Sequence, residues 1–131
     1  MIVVIDQHSG VPVFRQLRDQ IRFQIISGML ESGEELPSTR ALSEELGLNP
    51  MTISKAYSRL EMEGLVEKRP GLCLVVKQLD TNDIDTRRLT HFRQSAKSVA
   101  AVAKQLGLSK DTAMEVFGEI LDGANGDKER A

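Results

Sequence analysis

Apolar residues recur at helical spacing near the start of the chain. Phe14, Leu17, Ile21 and Ile25 lie three or four residues apart, which is the spacing of the buried face of an amphipathic helix. The pattern predicts a helix over residues 13–27. Its opposite face carries arginines, for which solvent exposure is the default and contact with a DNA backbone is the alternative.

Two further helical segments follow. Ser38 has the side chain of an N-cap, and Gly47 tolerates the left-handed conformation that ends many helices. Between them, buried leucines predict a short helix over residues 39–46. Asn49 as N-cap and Pro50 at the first helical position then predict a helix over residues 50–63. Its expected buried face consists of Ile53, Ala56, Tyr57 and Leu60.

The period changes after this pair of helices. Residues 65–68 and 72–76 are predicted to form two short strands around the turn sequence Arg69-Pro70-Gly71. Cys73 is expected to be a small apolar residue of the second strand. Two helices joined by a short turn with glycine form a helix-turn-helix. A hairpin after them predicts a winged helix.

The C-terminal part contains a second apolar pattern, at alternating spacings of three and four residues. It predicts a long helix over residues 83–105, followed by a shorter helix that is capped by Ser109 and ends near Gly123. Two such helices cannot bury both apolar faces alone, so we expect a homodimer. The expected interface residues are Leu89, Phe92, Ala96, Val99, Ala103, Leu106, Phe117 and Ile120.

These elements define the expected fold class and domains. The fold is mostly α with a small β-hairpin. A winged helix-turn-helix occupies residues 1–78, and a two-helix dimerisation region occupies residues 79–131.

Overall charge gives no sign of a nucleic-acid partner. The 131 residues carry 17 basic and 19 acidic side chains, a net charge of −2, whereas nucleic-acid-binding domains are usually basic. The positions of the charges are more informative than their sum. Between Leu46 and Leu60 the charged residues are Lys55 and Arg59, which are both basic. We therefore expect DNA contact to be confined to one small face of the protein.

Other features limit the compartment and the chemistry. One cysteine cannot form an internal disulfide, and the apolar run Ile2–Ile5 meets Asp6 without a signal-peptide pattern. No apolar run reaches the ~20 residues that are needed to span a bilayer. We therefore expect a cytoplasmic protein without membrane contact. His8 and His91 lie far apart, and catalytic and metal-ligand motifs are missing. We expect no enzyme activity, no metal and no cofactor.

The stretch from Phe14 to Val76 closely resembles the DNA-binding domain of the GntR family of bacterial transcription regulators. The resemblance is carried by three segments in fixed register, Leu36-Pro37-Ser38-Thr39-Arg40, Leu46-Gly47-Leu48-Asn49-Pro50-Met51-Thr52-Ile53 and Leu60-Glu61-x-Glu63-Gly64-Leu65. The opening residues and the short C-terminal region are similar to the YtrA-type subfamily. The resemblance implies DNA contacts at Arg40, at residues 49–55 and at the wing tip, Gly71. The sequence departs from the family at Cys73, Leu74 and Val75, so the resemblance does not extend to a wing that reaches the minor groove.

The candidate DNA-binding residues come from both arguments. They are Ser38, Thr39, Arg40, Asn49, Pro50, Met51, Thr52, Ser54, Lys55, Arg59, Arg69 and Gly71. Four of them have a simpler interpretation that stays open. Arg40 is also explained as a surface residue, Asn49 as a cap alone, Met51 as a core residue and Arg69 as a solubilising charge of the hairpin.

The expected function is a sequence-specific transcription regulator that binds double-stranded operator DNA as a homodimer. By analogy with the family we expect a repressor. The alternative is a winged-helix module for protein contact without specific DNA binding. A small-molecule effector is left open; the short C-terminal region leaves little room for a buried ligand, so an effector would bind between helices or at the subunit interface.

Overall fold

A computed structural model describes residues 1–130 of the chain, with side chains described through residue 123. The elements in order are α1 (Val13–Ile26), α2 (Thr39–Leu46), α3 (Pro50–Met62), β1 (Val66–Glu67), β2 (Val75–Val76), α4 (Thr81–Gln105) and α5 (Lys110–Arg130). The predicted fold class, a mostly helical chain with a small hairpin, is confirmed. The chain divides into one compact unit from Met1 to Arg88 and a second that begins at Leu89.

The first unit is built around an aliphatic core. Leu17 and Ile21 of α1 are fully buried together with Ile53 and Leu60 of α3, as their spacing predicts. Burying four such side chains contributes several kcal/mol of hydrophobic free energy, at roughly 1.5–3 kcal/mol each. Since both helices present one apolar stripe to this core, their opposite faces are fixed toward solvent.

The turn between α2 and α3 has the predicted caps. The Oγ of Ser38 accepts a hydrogen bond from the Ala41 N–H at 3.0 Å, and the Oδ1 of Asn49 accepts one from the Met51 N–H at 2.9 Å. Gly47 ends α2 with a φ of 66°, a left-handed conformation that glycine adopts without the cost of a Cβ clash. The helix-turn-helix is therefore confirmed.

The hairpin differs from the prediction. β1 and β2 have two residues each, with Val66 opposite Val76, and Cys73 is not in a strand. The Cys73 N–H instead donates to the Glu35 carboxylate at 2.7 Å. The turn takes up part of the predicted second strand, because the Leu72 N–H donates to the Arg69 carbonyl at 3.1 Å. Residues 33–36 pair with the other edge of β2 and of the residue before it. The Leu36 N–H donates to the Leu74 carbonyl at 2.7 Å, and the Val76 N–H donates to the Glu34 carbonyl at 2.8 Å.

The N-terminal segment is held along α1 by side chains. Gln20 accepts a hydrogen bond from the Val4 N–H at 2.9 Å, and its amide donates to the Val4 carbonyl at 2.6 Å. Gln24 makes the same pair of bonds with Ile2, and Gln16 makes it with Asp6. We call these three side chains the glutamine ladder. Between its rungs the side chains of residues 3 and 5 pack against the core.

Helix α4 begins in the first unit. It starts at Thr81, two residues before the predicted start, and its first turns carry two arginines that satisfy carbonyl groups at helix ends. Arg87 donates to the carbonyl of Glu63 at 2.6 Å, and Arg88 donates to that of Ile26. Such bonds occupy acceptors that a helix C-terminus leaves without an intrahelical partner.

The second unit consists of the rest of α4 and α5. The Oγ of Ser109 accepts a hydrogen bond from the Thr112 N–H at 3.1 Å, which confirms the predicted cap. The rings of Phe92 and Phe117 lie 6.4 Å apart. Helix α5 does not end near Gly123 as predicted but continues to Arg130. The reason is that Gly123 does not take the positive φ of a helix-ending glycine. Within the described part of the chain, no helix has the length and apolar character needed to cross a membrane.

Candidate nucleic-acid interface

The exposed face of α3 is set by its buried face. Because Ile53, Ala56, Tyr57 and Leu60 are buried, the side chains between them point away from the core. The outward residues are Met51, Ser54, Lys55, Ser58 and Arg59, which are exposed, and Thr52, which is half-buried. Met51 is 78% exposed, which overturns its interpretation as a core residue.

This face is free of carboxylates over its first three turns. The first acidic residue of α3 is Glu61, next to its C-terminal end. Lys55 and Arg59 therefore give the face a local positive charge although the whole chain is acidic. A recognition helix contacts base edges with its N-terminal residues, where short side chains allow close approach to the major groove.

The N-terminus of α3 strengthens this local charge. Asn49 and Pro50 are both exposed at the helix start. The amides of a first helical turn carry a partial positive charge that attracts phosphate. Asn49 uses its side-chain oxygen for the cap, so its amide NH2 group is left as the group that can contact a ligand.

The start of α2 supplies further candidates. Ser38 and Thr39 are half-buried, whereas the Arg40 side chain is 90% exposed. Arg40 is paired with Glu44 one turn later, with 3.3 Å between Nε and Oε1. An exposed pair of this kind contributes little to stability, so the side chain of Arg40 is held only weakly by its partner.

The wing is less basic than its sequence indicates. Arg69 forms an ion pair with Glu67 at 3.0 Å, which offsets part of its charge. Gly71 is exposed at the tip with a φ of 75°. Lys68 is exposed as well and, together with Cys73 and Leu74 of the wing, lines a hollow next to α3.

Two open hollows lie against α3. One, of about 350 Å³, brings together the start of α2, the middle of α3 and the wing, and is lined by Ser38, Thr39 and Lys68 among others. The other, of about 560 Å³, lies between the start of α1 and the N-terminal half of α3. In it the Nζ atom of Lys55 lies 4.0 Å from the centre of the Phe14 ring.

Tyr57 is a buried residue that lines the first hollow. Its hydroxyl donates a hydrogen bond to the Pro37 carbonyl at 2.8 Å. Burial raises the pKa of Tyr57 well above that of a free tyrosine, and the nearby Cys73 and Glu45 act in the same direction. The hydroxyl therefore stays protonated and ties α3 to the residues that lead into α2.

Some residues of this surface are outside the list of candidate contacts. Ser58, Lys68 and Phe14 line the hollows but are not among the candidate contacts. Ser58 had a detectable signal, because it lies one turn after Ser54 on the outward face of α3. Phe14 had none, since its spacing marks it as a core residue of α1.

The expected dimer residues are mostly exposed in the single chain. Leu89, Phe92, Val99, Leu106 and Ile120 are 54–70% exposed. Ala96 is exposed, Phe117 is 37% exposed and Ala103 is half-buried. The part of α4 in the second unit contributes no buried residue.

Comparisons with known proteins match these features. Residues 14–76 match the model of the family described as bacterial regulatory proteins, gntR family. The chain is 28% identical over 127 residues to the HTH-type transcriptional repressor YtrA of Bacillus subtilis. The aligned region covers 97% of this chain and 98% of YtrA. It is 32% identical over 118 residues to the HTH-type transcriptional regulator Rv1152 of Mycobacterium tuberculosis, covering 90% and 93% of the two chains.

The fold recurs in a solved structure. A GntR family transcriptional regulator from Listeria monocytogenes superposes with a TM-score of 0.75 over 88% of this chain and 98% of the other, at 24% identity. The relatives are transcriptional regulators of similar length that carry the same helix-turn-helix. This chain belongs to the GntR family of transcriptional regulators and is similar over nearly its whole length to the family member YtrA.

Proposed function

We propose that this protein is a transcriptional repressor that binds a near-palindromic operator as a homodimer, with α3 of each subunit in a major groove. The observation that carries the proposal is the exposed face of α3, which bears Lys55 and Arg59 and no carboxylate before Glu61. The major groove presents base edges bordered by phosphates. The cations of this face can contact the phosphates, and its short polar side chains can approach the base edges.

The side chains of α3 suit this role. Thr52 offers a hydroxyl to a base or a phosphate and a methyl group to a thymine methyl. Lys55 supplies a cation within the first two turns, the part of a recognition helix that enters the groove, where it can contact a backbone phosphate. Arg40 lies at the start of α2 with its side chain in solvent, where it can contact a phosphate and fix the register on the duplex.

The acidic chain shapes the expected binding. A net charge of −2 gives little attraction to DNA in general, because non-specific affinity comes mainly from neutralised phosphates. Two subunits on one palindrome double the number of contacts, and each contact then acts at high effective concentration. Dimerisation is therefore the source of tight operator binding that we propose.

Repression is the proposed outcome of that binding. The similar protein YtrA of Bacillus subtilis is described as a transcriptional repressor. A dimer of this size that occupies an operator within a promoter blocks access to it without needing a further domain.

A fluorescence-anisotropy titration tests the proposal. The DNA is the region upstream of the protein's own gene, together with the tightest duplex that in vitro selection recovers from a random-sequence pool. We expect the affinity to fall steeply with salt concentration as counterions are released. Arg40→Ala and Lys55→Ala should each weaken binding by roughly tenfold while the fold is retained, and Lys97→Ala, an exposed cation of the second unit, is the control. Unchanged affinity in both site variants would refute the assigned contacts.

The alternative function gives a different result in the same titration. A winged-helix module that contacts only proteins would bind every duplex weakly, and selection would recover no preferred sequence.

A further inference from the structure

Lys55 is held by an aromatic ring. Its Nζ atom lies 4.0 Å from the centre of the Phe14 ring, within the distance at which an ammonium group is attracted to the ring face. Phe14 is the second residue of α1 and is half-buried against the core. Lys55 is exposed on α3, so a cation of the exposed face is anchored to a ring whose position the core fixes.

The ring restrains the charge without neutralising it. Among the ion pairs of the described residues, Arg40 is paired with Glu44 and Arg69 with Glu67, whereas Lys55 has no carboxylate partner. A carboxylate would have to be displaced, or would offset the charge, when DNA binds. An aromatic ring restricts the lysine side chain and leaves its full positive charge available.

The hollow next to this pair has room for part of a ligand. Its volume is about 560 Å³, and its lining combines Phe14 and Val13 of α1 with Thr52, Ser54 and Ser58 of α3. Three hydroxyl groups and one ammonium face an open space beside the N-terminal half of α3. That set of donors fits a phosphate or sugar group of a nucleic-acid backbone.

We propose that Phe14 is a positioning residue for DNA binding, which holds the Lys55 ammonium in place to contact a backbone phosphate in this hollow. The inference rests on the proposed function. It adds the start of α1, outside the helix-turn-helix, to the elements that determine operator affinity.

Three variants test the role of the ring. Phe14→Leu keeps an apolar side chain at the position but removes the ring, and Phe14→Tyr keeps the ring. With the selected duplex, Phe14→Leu should weaken binding by roughly two- to tenfold for each subunit that binds, the range expected when a free lysine side chain has to be ordered on binding. Phe14→Tyr should bind within a factor of two of the wild type. Lys55→Met should lower the salt slope by about two, about one for each subunit of the dimer, and Phe14→Leu should leave the slope unchanged because the charge is still present.

The double variant separates positioning from a general effect on the fold. If Phe14 acts through Lys55, Phe14→Leu has no further effect on affinity once Lys55 is methionine. An equal loss in both backgrounds overturns the inference, and so does wild-type affinity in Phe14→Leu. Circular dichroism and thermal melting of each variant check that the fold is retained.

An NMR measurement on the wild-type protein without DNA gives a readout that needs no variant to fold. The ring current of Phe14 should shift the ε-methylene protons of Lys55 upfield, and random-coil shifts for these protons overturn the inference. If the inference alone is wrong, the protein still binds the selected duplex with a steep salt dependence. If the proposed function is wrong, that binding is missing even when the upfield shift is present.

Discussion

Asn49 combines two roles that its sequence position left open. Its Oδ1 accepts the Met51 N–H at 2.9 Å, so the cap is part of the fold. The residue is nevertheless exposed at the start of the face that we propose to contact DNA. Because only the oxygen is needed for the cap, the two roles can be separated by one substitution.

Asn49→Asp should keep the fold and weaken DNA binding. Aspartate caps helices as well as asparagine, and its charge is favourable at a helix N-terminus, so the melting temperature should be unchanged or higher. The same charge faces phosphate in the complex, and we expect operator affinity to fall by at least about tenfold. Thermal melting and anisotropy measure the two effects.

Asn49→Ala is the matched control for this prediction. It removes the cap without adding charge and should cost about 1 kcal/mol of stability. Wild-type affinity in Asn49→Asp would show that the start of α3 does not approach the DNA backbone.

Residues were predictable from the sequence where their roles are local. The caps of α2 and α3 depend on side chains within three residues of the helix start, and both were correctly predicted. The contact between Phe14 and Lys55 joins residues 41 positions apart in the chain. No spacing rule covers it, since it depends on how α1 packs against α3.

At the scale of elements, the glutamine ladder shows how a helix can organise an extended segment. Residues four apart on a helix are separated by about 6 Å along its axis, and residues two apart in an extended chain by about 6.6 Å. Gln16, Gln20 and Gln24 match these repeats and bind Asp6, Val4 and Ile2 in turn. Each side-chain amide pairs with a backbone N–H and carbonyl as a neighbouring strand would.

Removal of one rung should loosen the segment locally. Gln20→Ala deletes both hydrogen bonds to Val4, and we expect the Val4 amide to exchange with solvent at least about fivefold faster, the factor that corresponds to about 1 kcal/mol for a lost hydrogen bond. Hydrogen exchange followed by NMR measures the rate at Val4 and at Leu17 in the core.

Gln78→Ala replaces an exposed glutamine outside the ladder and should leave both rates unchanged. Equal acceleration at Val4 and Leu17 would contradict the local role of the ladder and indicate a loss of overall stability.

Elements were predictable to the extent that their own sequence determines them. Periodicity and caps located α1, α2 and α3 to within about one residue, because each helix buries one stripe of its own side chains. The hairpin was predicted too long, because the turn extends to Leu72 and the Cys73 N–H bonds to the distant Glu35 carboxylate rather than to β1. Gly123 did not end α5 as predicted, and it lacks the positive φ that Gly47 takes at the end of α2.

At the scale of the whole molecule, the second unit exposes several large apolar side chains. Leu89, Val99, Leu106 and Ile120 are each more than half exposed. The pattern places Leu89 and Val99 on one stripe of α4, and Leu106 continues this stripe directly after the helix. Soluble monomers rarely expose a continuous apolar patch of this kind. A second copy with the same stripe would cover it symmetrically.

A charge placed on this stripe should separate the subunits and weaken operator binding together. Light scattering should give the wild type twice the 14.5 kDa mass of one chain. Val99→Asp should give a single chain with unchanged helix content, since burial of an unpaired carboxylate opposes association. Its operator affinity should fall by roughly two orders of magnitude, because the second half-site no longer benefits from high effective concentration.

Gln94→Asp, on the opposite face of α4, introduces the same side chain and should change neither mass nor affinity. A dimeric Val99→Asp, or a monomer with wild-type affinity, would show that this stripe does not support operator binding by dimerisation.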